Sequence, residues 1–221
     1  DGPDSVIIRP VNLRIQRNRQ PLNANILAKY TEDYTYLSKR GISERVQRQM
    51  GVLYDRESRA AVIPWYNANK NVQNVKFRTV YGKTFWYYRG GRPIRELVYG
   101  IDQAESVSVV CEAEIDAMSW KEAGYAAIAV GGASFNNWKR DVILRSPIEE
   151  IIIATDNDKA GGKLRREIEV AMNGHVRVRQ AYVRADCKDA NEALMKYGVE
   201  AMRNAVRQSE GCGSLYVNLR M

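Results

Sequence analysis

Histidine occurs once in this chain, at His175, and cysteine three times, at Cys111, Cys187 and Cys212, with no C-x-x-C pair. These are too few nitrogen and sulfur ligands, at the wrong spacing, for a structural zinc site. An odd number of cysteines without framework spacing points instead to a reducing compartment. His175 follows Asn173-Gly174 and reads as a turn residue. No apolar run approaches the roughly eighteen residues that a membrane helix needs, and the polar start Asp1-Gly2-Pro3-Asp4-Ser5 is no signal peptide. The start also lacks Met, so the chain is expected to be a piece of a longer protein. There is no internal repeat and no low-complexity tract.

Acidic residues are scarce only in the first half. Residues 1–100 hold 18 Lys+Arg against 8 Asp+Glu, whereas residues 101–221 hold 16 against 18. A basic half joined to an acidic one suggests a polyanion held by the first and processed by the second, with a merely solvated basic face as the plainer alternative. At 221 residues, 45% of them hydrophobic, the chain can bury a large core or two smaller ones.

Residues 1–25 read as a linker or peripheral segment carrying Arg9, Arg14, Arg17 and Arg19. From 26 to 103 a smaller mixed α+β subdomain is expected. A helix over Ile26–Tyr36 precedes a helix, turn and helix across Tyr34–Gly51, where Gly41 ends one helix and Ser43 caps the next. Strands follow at Ala60–Tyr66, Val72–Val80 and Thr84–Arg89. Basic residues there alternate with Phe77, Phe85, Trp86, Tyr87 and Tyr88, a pattern suited to holding phosphates and stacking bases. Strand alternation favours the core for Phe77 and Trp86.

From 104 to 208 the rhythm changes to strand, helix, strand, helix, and residues 209–221 read as a tail. Strands are expected at Val107–Cys111, Ala126–Val130, Ile151–Ala154 and Val176–Val183. Helices are expected over Ile115–Ala123, Phe135–Leu144, Ala160–Met172, Ala190–Tyr197 and Val199–Gln208. Such alternation means an α/β fold, a parallel sheet covered by helices.

Three of these strands end in carboxylates. Ile151–Ala154 runs into Asp156-Asn157-Asp158, Val107–Cys111 into Glu112, Glu114 and Asp116, and Val176–Val183 into Asp186, Asp189 and Glu192. Ligands of open α/β sheets gather beyond the carboxyl ends of the strands. Carboxylates crowded there repel one another unless a cation lies between them, and hard oxygen ligands favour Mg²⁺ or Mn²⁺. An acidic turn that only caps a helix is the plainer reading of any one loop taken alone.

The ordered set Cys111-Glu112-Ala113-Glu114-Ile115-Asp116, then Asp156-Asn157-Asp158-Lys159-Ala160-Gly161, then Lys188-Asp189-Ala190-Asn191-Glu192 resembles the TOPRIM fold of primases and topoisomerases. Ahead of it, Tyr36 to Ser43, Val62-Ile63-Pro64-Trp65-Tyr66, Val75-Lys76-Phe77-Arg78 and Leu97-Val98-Tyr99-Gly100 are similar to the bacterial-type primase RNA-polymerase domain. The likeness is strongest to the primase half of phage primase-helicases, and it covers roughly residues 30 to 205. It implies Glu112, Asp156 and Asp158 as catalytic metal ligands and Asp189 as a further one. It also implies Lys76, Arg78, Lys159 and Lys188 as contacts to nucleotide and template, with Glu114, Asp116 and Asn191 behind the metal ligands. The family usually has Gly directly after the first glutamate; Ala113 stands there here.

The activity so implied is synthesis of short RNA primers from NTPs on single-stranded DNA, with Mg²⁺ or Mn²⁺ as cofactor. Expected partners are the template, the RNA product, a replicative helicase, and a zinc-binding module in the same or a partner chain. No membrane partner is expected, and the setting would be the cytoplasm, at a bacterial or phage replisome. Two alternatives stand beside it: another TOPRIM enzyme (a nuclease or topoisomerase fragment), and a catalytically silent nucleic-acid-binding module.

Overall fold

The computed structural model describes residues 20–211. The expected linker up to residue 19, with its four arginines, and the expected tail from Cys212 onward lie outside the described residues.

Two sheets build the molecule. The first is antiparallel, in the order β1 (Leu53–Asp55), β2 (Ala60–Tyr66), β3 (Val72–Thr79), β4 (Phe85–Tyr87). Because side chains alternate along a strand, Val75 and Phe77 of β3 turn to one face and Lys76 and Arg78 to the other. The first face packs with Ala60, Val62 and the segment carrying Leu22, Ile26, Leu27 and Tyr30. Phe77 is buried as expected, but Trp86 is 37% exposed. It lies stacked on Phe77, with ring centroids 5.4 Å apart. β4 is a three-residue edge strand, so among the described residues no further strand covers the indole.

The expected helix over Ile26–Tyr36 does not form. Ala24–Leu27 is a single 3-10 turn, and α1 (Thr35–Ser38) starts only afterwards. Between them Thr31 exchanges both backbone hydrogen bonds with Tyr54 at the end of the sheet, at 2.9 and 2.8 Å. Asp33 then accepts from the Thr35 amide at 3.0 Å. Pairing with β1 outcompetes helical propensity at this point. α2 (Glu44–Gln49) begins where expected, its first turn capped by Ser43 Oγ, which accepts from Val46 N at 3.3 Å.

The second sheet runs β6 (Ala127–Ala129), β5 (Val107–Cys111), β7 (Glu150–Ile153), β8 (Arg177–Gln180), all parallel, with the antiparallel β9 (Glu210–Gly211) at its edge. Around it lie α3 (Glu114–Glu122), α4 (Asn137–Leu144), α5 (Lys159–Met172) and α6 (Ala190–Arg207). α6 breaks at Gly198, whose φ of 74° and ψ of −175° are not helical, matching the two helices expected on either side. β8 is shorter than expected, because the chain leaves the ladder after Gln180 to form the third acidic loop.

Alternation in β5 and β7 sends Val110, Ile151 and Ile153 to one face, against Leu164, Ile168 and Met172 of α5. Val109 and Ile152 go to the other face, into a core that continues through Trp120 and Met202 to Ile63, Trp65, Ile42 and Leu37. The two sheets therefore share one core, which fixes the antiparallel sheet against the parallel one. The α/β class and the parallel sheet covered by helices, preceded by a smaller α+β part, are as expected.

One buried lysine reinforces that junction. Lys139 of α4 is 3% exposed and donates to the carbonyls of Ile94 (2.8 Å) and Leu97 (2.5 Å), on the segment linking the two sheets. Burial pulls its pKa down to about 8, against a weaker opposing pull from Glu114. From there to the unfolded value of about 10.4, the unfolded chain binds a proton that the folded one does not, so stability rises with pH. Wild type should thus gain stability over Lys139→Met when urea midpoints at pH 9.5 are compared with those at pH 7.5. An equal gap at both values would mean that the amine stays charged inside the fold.

Candidate metal and nucleotide site

β5 and β7 are parallel neighbours, so their carboxyl ends lie side by side. Glu112 follows β5 directly, and Asp156 comes just after β7. Asp158 is the N-cap of α5, its Oδ1 accepting from Gly161 N at 2.7 Å. Gly161 is needed there: a Cβ at that position would sit 2.0 Å from the Asp156 carbonyl oxygen. The Asp156–Asp158 loop is therefore wound tightly onto the start of the helix.

Asn157 brings in the third loop. Its Nδ2 donates to the carbonyls of Val183 and Arg184 (both 3.2 Å) and Cys187 (2.9 Å). Its backbone N–H donates to Lys188 O at 2.6 Å. Lys188 Nζ then lies 3.9 Å from Asp156 Oδ2 and 3.7 Å from Asp158 Oδ2. Asp189 caps α6, accepting from Glu192 N at 2.8 Å.

The electrostatics follow from this crowding. Partial burial, then the neighbouring charges of Asp156 and Asp158, push Glu112 up to about 7. Burial, then Asp189, pushes Asp156 up to about 6. Asp116, fully buried, is raised well above the usual carboxylate range by desolvation, then by Asp189 and Asp156. Lys188 is raised as well in the same field, because Asp156 first and Asp158 second stabilise it as a cation. Like charges gathered at one sheet edge, with a lysine drawn among them, make a site that attracts cations.

These residues suit a divalent ion. Glu112 Oε1 is buried and makes no hydrogen bond, and the gathered donors are hard carboxylate oxygens. Among the described residues no three His, Cys, Asp or Glu side chains form a ready-made cage. Ala113, where the resembled family has Gly, has extended backbone (φ −118°, ψ 160°), which any residue adopts.

The remaining expected residues divide. Asp116 Oδ1 accepts from Asn191 N at 3.1 Å, and Asn191 Nδ2 donates to Arg40 O (2.8 Å) and Ser119 Oγ (3.1 Å). Both therefore hold α3, α6 and the N-terminal part together behind the carboxylates. Glu114 points away from the cluster, accepting from Trp65 Nε1 at 3.1 Å and from Lys76 Nζ at 2.9 Å. Lys76 is only 8% exposed: expected to contact nucleotide and template, it is turned inward here, paired with Glu114. Arg78 is half-buried, its Nε donating to Tyr36 OH at 3.3 Å. Lys159 is exposed at the first turn of α5.

One residue has no sequence signal. Arg165 is buried and donates to the carbonyls of Ile153 (2.8 Å) and Ala181 (3.0 Å) and to Gln180 Oε1 (2.7 Å), while its guanidinium lies 4.0 Å from the Tyr182 ring centroid. It clamps the ends of β7 and β8 beneath Asp156. In the sequence it cannot be told from its helix neighbours Lys163 and Arg166, which point outward.

Comparison with known proteins bears on the fold. Residues 109–194 match the family model described as Toprim-like. Over 79% of its length the chain is 26% identical to the Twinkle homolog protein, chloroplastic/mitochondrial, of Arabidopsis thaliana. It spans only 28% of that relative. A DnaG primase catalytic domain bound to ssDNA superposes with a TM-score of 0.70 at 17% identity, over 85% of this chain and 77% of that one. The primase fragment of the bacteriophage T7 primase-helicase protein gives 0.65 at 25% identity, over 77% and 73%. The fold is that of the primase catalytic core, and the TOPRIM resemblance holds.

Proposed function

We propose that this chain is the RNA-polymerase core of a DNA primase, joining NTPs into short RNA primers on single-stranded DNA. The fold likeness to primase catalytic cores supports a primase function. The observation that carries the reading is the meeting of Glu112, Asp156, Asp158 and Lys188 at one sheet edge, joined through a shared core to the antiparallel sheet of the basic half. In this reading residues 26–103 form the basic subdomain and 104–208 the metal-binding one.

Glu112, Asp156 and Asp158 hold Mg²⁺ or Mn²⁺, with Asp189 at the edge of the set. A divalent ion held by these residues would supply Lewis-acid activation of the 3′-hydroxyl and charge neutralisation at the pyrophosphate. The protein positions those oxygens through the Gly161 turn and Asn157, and Arg78 and Lys159 engage phosphates of template and nucleotide. The T7 protein is a primase-helicase, which supports a replicative helicase as partner and a bacterial or phage replisome as the setting. Among the described residues no helix is long and apolar enough to cross a membrane.

The deciding assay incubates the protein with single-stranded DNA, four NTPs and Mg²⁺ or Mn²⁺ and sizes the products on a gel. Short RNA is expected. Shortened template without RNA would favour a nuclease, and binding without either product a silent module. Arg78→Ala should also flatten the log–log salt dependence of single-strand affinity by about 0.7, the loss of one phosphate contact. An unchanged slope returns Arg78 to a solvated-surface role.

A further inference from the structure

Lys188 stands where two functions overlap. Its backbone is held from both sides: Lys188 N donates to Glu192 Oε2 at 2.7 Å, and Lys188 O accepts from Asn157 N at 2.6 Å. The next residue, Asp189, caps α6. The loop before it is fastened as well. Tyr197 OH donates to Asp186 Oδ2, and Arg184 Nε donates to Asp186 Oδ1 at 3.2 Å. The Arg184 guanidinium also lies 4.1 Å from the Tyr197 ring centroid. The Lys188 side chain is 61% exposed, so its end can swing from this fixed base. As it stands, the ammonium lies between Asp156 and Asp158, the two carboxylates assigned to the metal.

From this geometry we propose that Lys188 is a tethered counter-ion that a divalent cation must displace. It balances Asp156 and Asp158 until the metal takes those oxygens, and then turns outward to the solvent side of the site. Displacement is required because an ammonium between the two carboxylates and a divalent ion bound to both would repel each other at close range. The displaced ammonium stays within a side chain's length of any polyphosphate drawn to that metal. Lys188 thus lowers intrinsic metal affinity and couples metal arrival to phosphate capture. This inference rests on the metal reading above.

The exchange can be measured without catalysis, by following free Mn²⁺ by EPR while the full chain is titrated. Removing two exposed ion pairs from competition, in Lys188→Met, should tighten Mn²⁺ binding about fivefold, with a smaller gain at high salt. Lys188→Arg keeps the charge and should stay within about twofold of wild type. Arg207→Met should leave Mn²⁺ affinity unchanged, because Arg207 pairs with Glu200 at 3.4 Å near the far end of α6, away from the two aspartates. Circular dichroism and melting curves establish that each variant is folded. Equal or weaker Mn²⁺ binding by folded Lys188→Met, while wild type binds and Asp158→Asn does not, overturns the counter-ion role and leaves the metal site intact. A wild type that binds no Mn²⁺ overturns the metal reading and this inference with it.

Discussion

Asp156→Asn and Asp158→Asn should each lower primer synthesis at least about a hundredfold while the protein stays folded. A metal bound at a reacting phosphate contributes several kcal/mol of transition-state stabilisation, and each 1.36 kcal/mol is tenfold in rate. Either amide keeps the shape of the side chain but removes the charge that holds the ion. The fold should tolerate both changes. Asn at 158 can still accept from Gly161 N, as Asp158 does now at 2.7 Å, and Asn is as good an N-cap as Asp. Asn at 156 removes a carboxylate crowded by Asp189 and Asp158, so the melting temperature should stay level or rise. Addition of Mg²⁺ or Mn²⁺ should raise the melting temperature of wild type more than that of either variant, by mass action on the folded state. Wild-type rates in either variant at saturating Mg²⁺ would remove Asp156 and Asp158 from the metal set.

What the sequence made legible here is what short-range chemistry determines. Asp156 and Asp158 follow a buried apolar run, and Glu112 follows another, so their place at the carboxyl ends of parallel strands needs only local pattern and the topology of an α/β fold. The break at Gly198 and the cap at Ser43 are local for the same reason. The failures are all long-range. Thr31 pairs with Tyr54, 23 residues away, and this cancels the expected helix. Asn157 lies between the two aspartates in sequence, yet its partners are some 26 to 30 residues on. Arg165 in a helix and Lys139 in another look like solvated charges until the fold buries them. Trp86 follows strand alternation but lies on an edge strand, where alternation alone does not decide burial.

Lys76 is the residue for which that difference has the largest consequence, because its reading changes from template contact to internal support. Lys76 and Glu114 are 38 residues apart and form an ion pair of 2.9 Å with side chains 10% and 3% exposed. Lys76 Nζ also lies 4.6 Å from the centroid of the Phe85 ring. Removing one partner of a buried pair leaves the other charge without compensation, a cost of about 3–5 kcal/mol. In a protein of this size about 1 kcal/mol shifts the melting temperature by roughly 2–4 °C, so Lys76→Met should melt on the order of 10 °C below wild type. Glu114→Gln in the same chain neutralises the stranded carboxyl and can still accept from Trp65 Nε1, so the double variant should recover most of the loss. Such recovery is the signature of a coupled pair and is absent when two independent sites are changed. The pair also reaches the active edge, since Glu114 opens α3 two residues after Glu112. The single variant should therefore lose Mn²⁺ affinity together with stability, and the double variant should regain both. A Lys76→Met protein that melts like wild type but binds single-stranded DNA with a flatter salt slope would restore Lys76 to the template-facing role.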